Sequence, residues 1–307
     1  MKQTKKLFII ITTILMMVFV TACGSSNSSS TSNTETDTDQ GKSNKGGNKE
    51  KEITIGYIPW DEDVAVTFLW KELLEKKGYK VKAVQADVAP IFSGMAQGNV
   101  DLFLDVWMPS THGSYMDKFG DDLEVLGTWY DQADNGLAVP DYLDVQSIED
   151  LKNYKDKLKG KIIGIEPGAG LMGVSRKALP GYRLNDWALV GSSTPAMLAE
   201  LDKAVSNKEP IVVTLWRPHW AFEKYNLRYL DDPKKLMNPN GAEELQAVSR
   251  KEFSADYPEV AKWLGEFTIT SDQLAKLESE IKNSTIEAEG VKKWISKNRS
   301  VAKAWVE

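Results

Sequence analysis

The sequence predicts an α/β fold of two similar lobes, each a mainly parallel sheet flanked by helices, joined by two hinge strands. Three features point there. Short apolar strand-like runs alternate with longer amphipathic segments, the βαβ order that builds parallel sheets covered by helices. The series occurs twice along the chain. Both copies read strand-G-x-x-P and then strand-W-x-P at nearly the same offset: Gly56-Tyr57-Ile58-Pro59 with Trp107-Met108-Pro109, and Gly164-Ile165-Glu166-Pro167 with Trp216-Arg217-Pro218.

In the first series, ITIGYI (53–58) reads as a strand and VAVTFLWKELLEKKG (64–78) as an amphipathic helix closed by Gly78. YKVKAVQA (79–86) is a strand, IFSGMAQGN (91–99) a helix and DLFLDVW (101–107) a strand. The second series repeats the order with KIIGIEPG (161–168), GLMGVSRKAL (170–179), WALVGSS (187–193), PAMLAELDKAVSNK (195–208) and PIVVTLW (210–216). NGLAVPDYL (135–143) and EELQAVSRKEF (243–253) are strand-like crossings suited to hinges. A helical tail from KEFSADYPEVAKWLGEF (251–267) to Trp305 returns to the first lobe. The expected division is a first lobe of residues 52–137 with 246–307 and a second lobe of 138–245.

The chain begins with a basic MKQTKK and an apolar LFIIITTILMMVFV, the n- and h-regions of an export signal over residues 1–22. That run is short of the roughly 20 apolar residues a spanning helix needs. Val20-Thr21-Ala22-Cys23 follows at once and resembles a bacterial lipobox. Cys23 is the only cysteine, so no intrachain disulfide can form. The expectation is a lipid carried on Cys23, holding the protein on the extracellular face of the cell membrane. Residues 23–51, rich in Ser, Thr, Asn, Gly and charge, read as a disordered tether with a reach on the order of 25–30 Å.

With a net charge of −6 and no basic aromatic module, the chain lacks the electrostatic footprint of nucleic-acid binding. Enzyme signatures are also missing: there is no G-x-S-x-G elbow, and the two histidines are not spaced as a helical metal pair. Asp61, Glu62 and Asp63 could be offered as acid-base groups. Their place just after Trp60 and before VAVTFLW instead suits an acidic first helical turn, which the helix dipole favours. No cofactor and no metal is expected.

In open α/β sheets the ligand sits beyond the C-terminal strand ends. Here those ends carry Trp60, Trp107, the turn Pro167-Gly168-Ala169-Gly170, and Trp216. A single Trp at such a rim fits core packing. Three at equivalent, partly wet positions point to a ligand. Indole faces favour a cation that cannot donate hydrogen bonds, such as a quaternary ammonium, at roughly 0.5–2 kcal/mol per ring. Sugar stacking is the rival use, but few polar side chains stand near these Trp residues to meet hydroxyl groups. The backbone N–H groups of Gly170 and Leu171 open a helix and suit an anion, and His112 offers a side-chain donor to a carboxylate.

YIPWD, DVWMPSTH, GIEPGAGLM, NDWALVGSS and TLWRPHWAF resemble the substrate-binding proteins of bacterial glycine betaine ABC transporters, over residues 53–305. The resemblance implies a type II periplasmic-binding-protein fold that closes by hinge motion. It implies a tryptophan prism of Trp60, Trp107 and Trp216 around a trimethylammonium group, with Gly170, Leu171 and His112 on the carboxylate. It also implies glycine betaine or proline betaine as ligand and a permease and ATPase as partners, in osmoprotectant uptake. Choline or carnitine is the alternative ligand; choline would leave the carboxylate donors idle and call for a carboxylate beside the cation. His219, in RPHW, is expected to fix a loop by bonding a backbone group.

Overall fold

The structure, a computed structural model, describes residues 51–307. The export signal expected over 1–22 and the lipid acceptor Cys23 lie outside the described residues, as does all of the tether except residue 51.

The first series forms β1 (Glu52–Tyr57), α1 (Asp61–Lys76), β2 (Lys80–Gln85), α2 (Val88–Ala96) and β3 (Leu102–Met108). Helix α1 starts three residues earlier than its apolar periodicity predicts, because Asp61, Glu62 and Asp63 form its first turn at the positive end of the helix dipole. It ends before Gly78, whose φ of +87° turns the chain toward β2. After α3 (Gly113–Phe119) the chain enters β4 (Leu123–Pro140).

The second series gives β5 (Lys161–Ile163), α4 (Gly170–Gly181), β6 (Ala188–Val190), α5 (Thr194–Ser206) and β7 (Val213–Arg217). Then come α6 (Ala221–Tyr225), β8 (Leu227–Tyr229), β9 (Glu243–Arg250), α7 (Phe253–Asp256), α8 (Pro258–Glu266), α9 (Ser271–Lys282), α10 (Glu287–Lys297) and α11 (Arg299–Ala304). The C-terminal α9 and α10 pack on α1, the return to the first series that the sequence predicts.

The strands run in the order β2-β1-β3-β9-β4-β7-β5-β6, with β8 beside β4. Pairing is parallel inside each βαβ unit, where β1 joins β2 and β3 and β5 joins β6 and β7. The crossings β4 and β9 add antiparallel pairs, so the whole is mixed. Strand β4 is the physical link: its first part pairs with β9, and Asp134 to Ala138 pair with β7. The two W-x-P motifs match in backbone as well as sequence, since Met108–Pro109 and Arg217–Pro218 are both cis. Trp70, Trp129 and Trp294, which the sequence leaves to packing, are fully buried.

Candidate ligand-binding site

Trp60 sits between β1 and α1, Trp107 near the end of β3, and Trp216 in β7. The fold brings all three to one small cavity, lined also by Glu62, Thr111 and Leu171. The rings of Trp60 and Trp216 stand 6.2 Å apart with planes at 58°. None of the three is more than 4% exposed, so the rim that the sequence suggests is partly wet is buried here. The cause is apposition of the two series. Tyr115 after β3 donates its hydroxyl to the Gly168 carbonyl at 2.9 Å, and Gly170 lies so close to Thr111 that a Cβ there would stand 2.2 Å from the Thr111 carbonyl oxygen.

Each indole N–H donates to a carboxylate. Trp60 Nε1 donates to Glu166 Oε2 at 3.2 Å, Trp216 Nε1 to Glu62 Oε2 at 2.8 Å, and Trp107 Nε1 to both oxygens of Asp105 at 3.1 and 3.2 Å. A bond at the pyrrole edge fixes a ring without covering its π face, so in this arrangement the cage walls are held with their faces free. Two of these bonds cross between the series: Trp60 to Glu166 and Trp216 to Glu62.

His112 is fully buried and stacks on Trp60, centroids 5.9 Å apart and planes at 13°. Its Nδ1 accepts from the Trp107 backbone N–H at 3.0 Å, so the proton of the neutral ring lies on Nε2. Burial pushes its pKa down to about 3, so that neutral form holds across physiological pH. His112 Nε2 has no hydrogen-bond partner among the described residues. A buried donor left alone is costly unless a ligand meets it. Helix α4 begins at Gly170 after Ala169, and its first N–H groups, on Gly170 and Leu171, have no intrahelical acceptor. The structure thus brings the three indoles and Leu171 to one cavity; His112 and Gly170 do not line it, but His112 stacks on Trp60 and Gly170 lies against Thr111, both of which do.

Sequence reasoning missed the carboxylates. Glu62 and Asp63 do lie in the first turn of α1, but they are buried rather than solvated. Asp63 accepts from Ile58 N–H at 2.7 Å and from the Thr67 hydroxyl at 3.1 Å, tying the end of β1 to α1. Burial, and then the charge of Asp105, raises both groups well above the usual carboxylate range. Burial raises Asp105 to about 7, against the lowering effect of Trp107 N–H. Asp105 carried a signal: a charge inside the apolar run DLFLDVW must have a partner.

A second chain of bonds ties the cavity to the crossing strands. Asn135 of β4 donates to the Thr111 hydroxyl at 2.7 Å, which donates to Glu243 Oε1 of β9 at 2.7 Å; Thr111 N–H donates to Glu243 Oε2 at 3.0 Å. His219 accepts at Nδ1 from Ala221 N–H at 3.1 Å, the loop-fixing contact expected of it, and its Nε2 lies 3.2 Å from Asp61 Oδ2.

Two βαβ halves, linked by crossing strands and shut over a small aromatic cavity, define a solute-binding protein of the periplasmic-binding-protein fold. The chain belongs to a particular family of these: residues 51–297 match the substrate-binding domain of the ABC-type glycine betaine transport system. Among solved structures it is similar to lactococcal OpuAC in its closed form with glycine betaine, at 35% identity and TM-score 0.79, over 84% of this chain and 100% of that one. It is also similar to the glycine/betaine/L-proline-binding protein ProX of Borrelia burgdorferi, at 32% identity and TM-score 0.80, over 84% and 97%. The glycine betaine/carnitine transport binding protein GbuC of Listeria monocytogenes is 36% identical over 158 residues. That match spans 51% of this chain and about half (52%) of the curated relative.

Proposed function

We propose that this protein captures glycine betaine, or a close quaternary ammonium zwitterion such as proline betaine, and delivers it to an ABC importer. The observation that carries the reading is one small cavity walled by three edge-anchored indoles, with an orphan Nε2–H on the His112 ring that stacks on Trp60. The indoles take the methylated cation; His112 and the first N–H groups of α4 take the carboxylate. Three desolvated cation-π contacts of about 2 kcal/mol each, plus about 1.5–3 kcal/mol from hydrogen bonds to the carboxylate, match the roughly 8 kcal/mol of micromolar binding before ordering costs.

The lobes are proposed to be residues 52–137 with 246–307, and 138–245, which the passage of β4 and β9 between the two series supports. Trp60, Trp107 and His112 then come from one lobe, and Trp216, Gly170 and Leu171 from the other, so only closure completes the site. Outside the membrane the protein is held by a lipid on Cys23, and its partners are the permease and ATPase of the importer. The relatives are transport binding proteins, which supports a carrier rather than an enzyme.

One observation favours a second ligand, choline: Glu62, a carboxylate, lines the cage. A choline complex, however, would leave His112 and the α4 donors unmatched. A thermal-shift plate with glycine betaine, proline betaine, carnitine, choline and maltose separates the readings, with the largest shift expected for a betaine. A shift with maltose alone, or with none of the five, would end the proposal.

A further inference from the structure

Glu62 is the one carboxylate that both lines the cavity and keeps an unused oxygen. Its Oε2 accepts from Trp216 Nε1 at 2.8 Å, while Oε1 is buried and has no partner among the described residues. Asp105 and Glu166 also hold cage indoles, but neither lines the cavity.

We propose that Glu62 is the counter-charge of the ligand's ammonium head and the residue that makes the site select a cation over a neutral group of the same shape. The inference rests on the betaine reading above and deepens it. Indole faces alone discriminate charge only partly, because their large apolar area also welcomes a neutral methylated group. An anionic oxygen inside the same low-dielectric cavity acts on charge alone. The surroundings leave that role open to a ligand. The ionisable groups acting on Glu62 are Asp105 from β3 and Glu278 from α9, both acidic, and no basic side chain is among its principal influences. Burial comes first and those charges after it in raising Glu62 well above its usual range. A cation in the cage is therefore what stabilises its ionised form. The Glu62 backbone N–H and Trp216 Nε1 supply neutral hydrogen bonds, which orient the carboxylate and bring no positive charge to it.

The test compares glycine betaine with 3,3-dimethylbutanoate, its isostere with carbon in place of nitrogen. The two share carboxylate and trimethyl shape and differ in the positive charge. Titration calorimetry on the full folded chain should give a strong preference for betaine in the wild type. Glu62→Gln keeps an acceptor for Trp216 Nε1 and removes the charge. It should cut the betaine-to-isostere affinity ratio by about tenfold or more, about 1.4 kcal/mol per decade. Should that variant fold poorly, Glu62→Met, which conserves volume and replaces a buried charge by an apolar group, should give the same fall in ratio. An unchanged ratio, with both ligands weakened equally, would make Glu62 a mere support for Trp216 and overturn the proposal. So would a wild type that binds the isostere as tightly as betaine. Failure of the wild type to bind betaine at all would strike the parent reading instead.

Discussion

Trp216 Nε1 donates to Glu62 Oε2 at 2.8 Å although the two residues come from opposite βαβ series, 154 positions apart. The converse bond joins Trp60 to Glu166, 106 positions away. Each series therefore sets the orientation of an indole belonging to the other. Under the proposed hinge closure, opening the cleft would release these two walls from their supports.

Trp107 is held by Asp105 of its own strand, a bond that the proposed opening would leave intact. Trp107→Ala should weaken betaine binding about tenfold or more, because one desolvated ring contributes about 2 kcal/mol. Calorimetry measures the affinity and circular dichroism checks that the variant is folded. Retained affinity would refute the cage.

His112→Phe keeps an aromatic ring against Trp60 and removes both the Nε2 donor and the Nδ1 acceptor of the Trp107 N–H. A hydrogen bond to a charged group contributes about 1.5–3 kcal/mol, so betaine affinity should fall about ten- to a hundredfold. Choline, lacking the carboxylate, should lose less affinity than betaine in the same titration, and its loss measures the disturbance of Trp107. An equal loss for both solutes would show that the imidazole only packs.

Gly170→Ala places a methyl group where the Thr111 carbonyl oxygen lies 2.2 Å away. Because that oxygen belongs to backbone, closure should be blocked while the unliganded fold survives. Small-angle scattering should detect compaction on adding betaine in the wild type and none in the variant.

Two buried groups give stability opposite dependence on pH. Unfolded carboxyls titrate near pH 4 and imidazole near pH 6.5. Folded Asp105 holds its proton to about 7, so its contribution is present below about pH 4 and is lost as pH rises to about 7. Folded His112 stays neutral to about 3, so its contribution is present above about pH 6.5 and is lost as pH falls. Asp105→Asn removes the first effect and also the push of the Asp105 charge on Glu62 and Asp63, which acts in the same direction. The urea midpoint of the variant relative to the wild type should therefore rise between pH 4 and pH 7, and a constant difference would contradict the assignment.

The element order was legible because it is written locally. Periods of about 3.6 and 2 in apolar residues, with stops such as Gly78, mark α1, β1 and β3 without reference to distant residues. The shortness of β5 and β6 was not legible, since KIIGIEPG and WALVGSS are apolar beyond the three residues that pair. The antiparallel pairs of β4 and β9 were also hidden, because a crossing strand looks the same whichever neighbour it joins.

The sequence by itself determined the doubled α/β plan, the three strand-end tryptophans, His112 and the Gly170 turn. Their residue types and strand-end positions are properties of short segments. Only the tertiary structure decided that Glu62, Asp105 and Glu166 hold the rings, that the rim is buried, and that Thr111 reaches Asn135 and Glu243. A carboxylate in a first helical turn obeys the same dipole rule whether water or an indole covers it. What covers it depends on chain that returns from more than a hundred residues away, which no local pattern records.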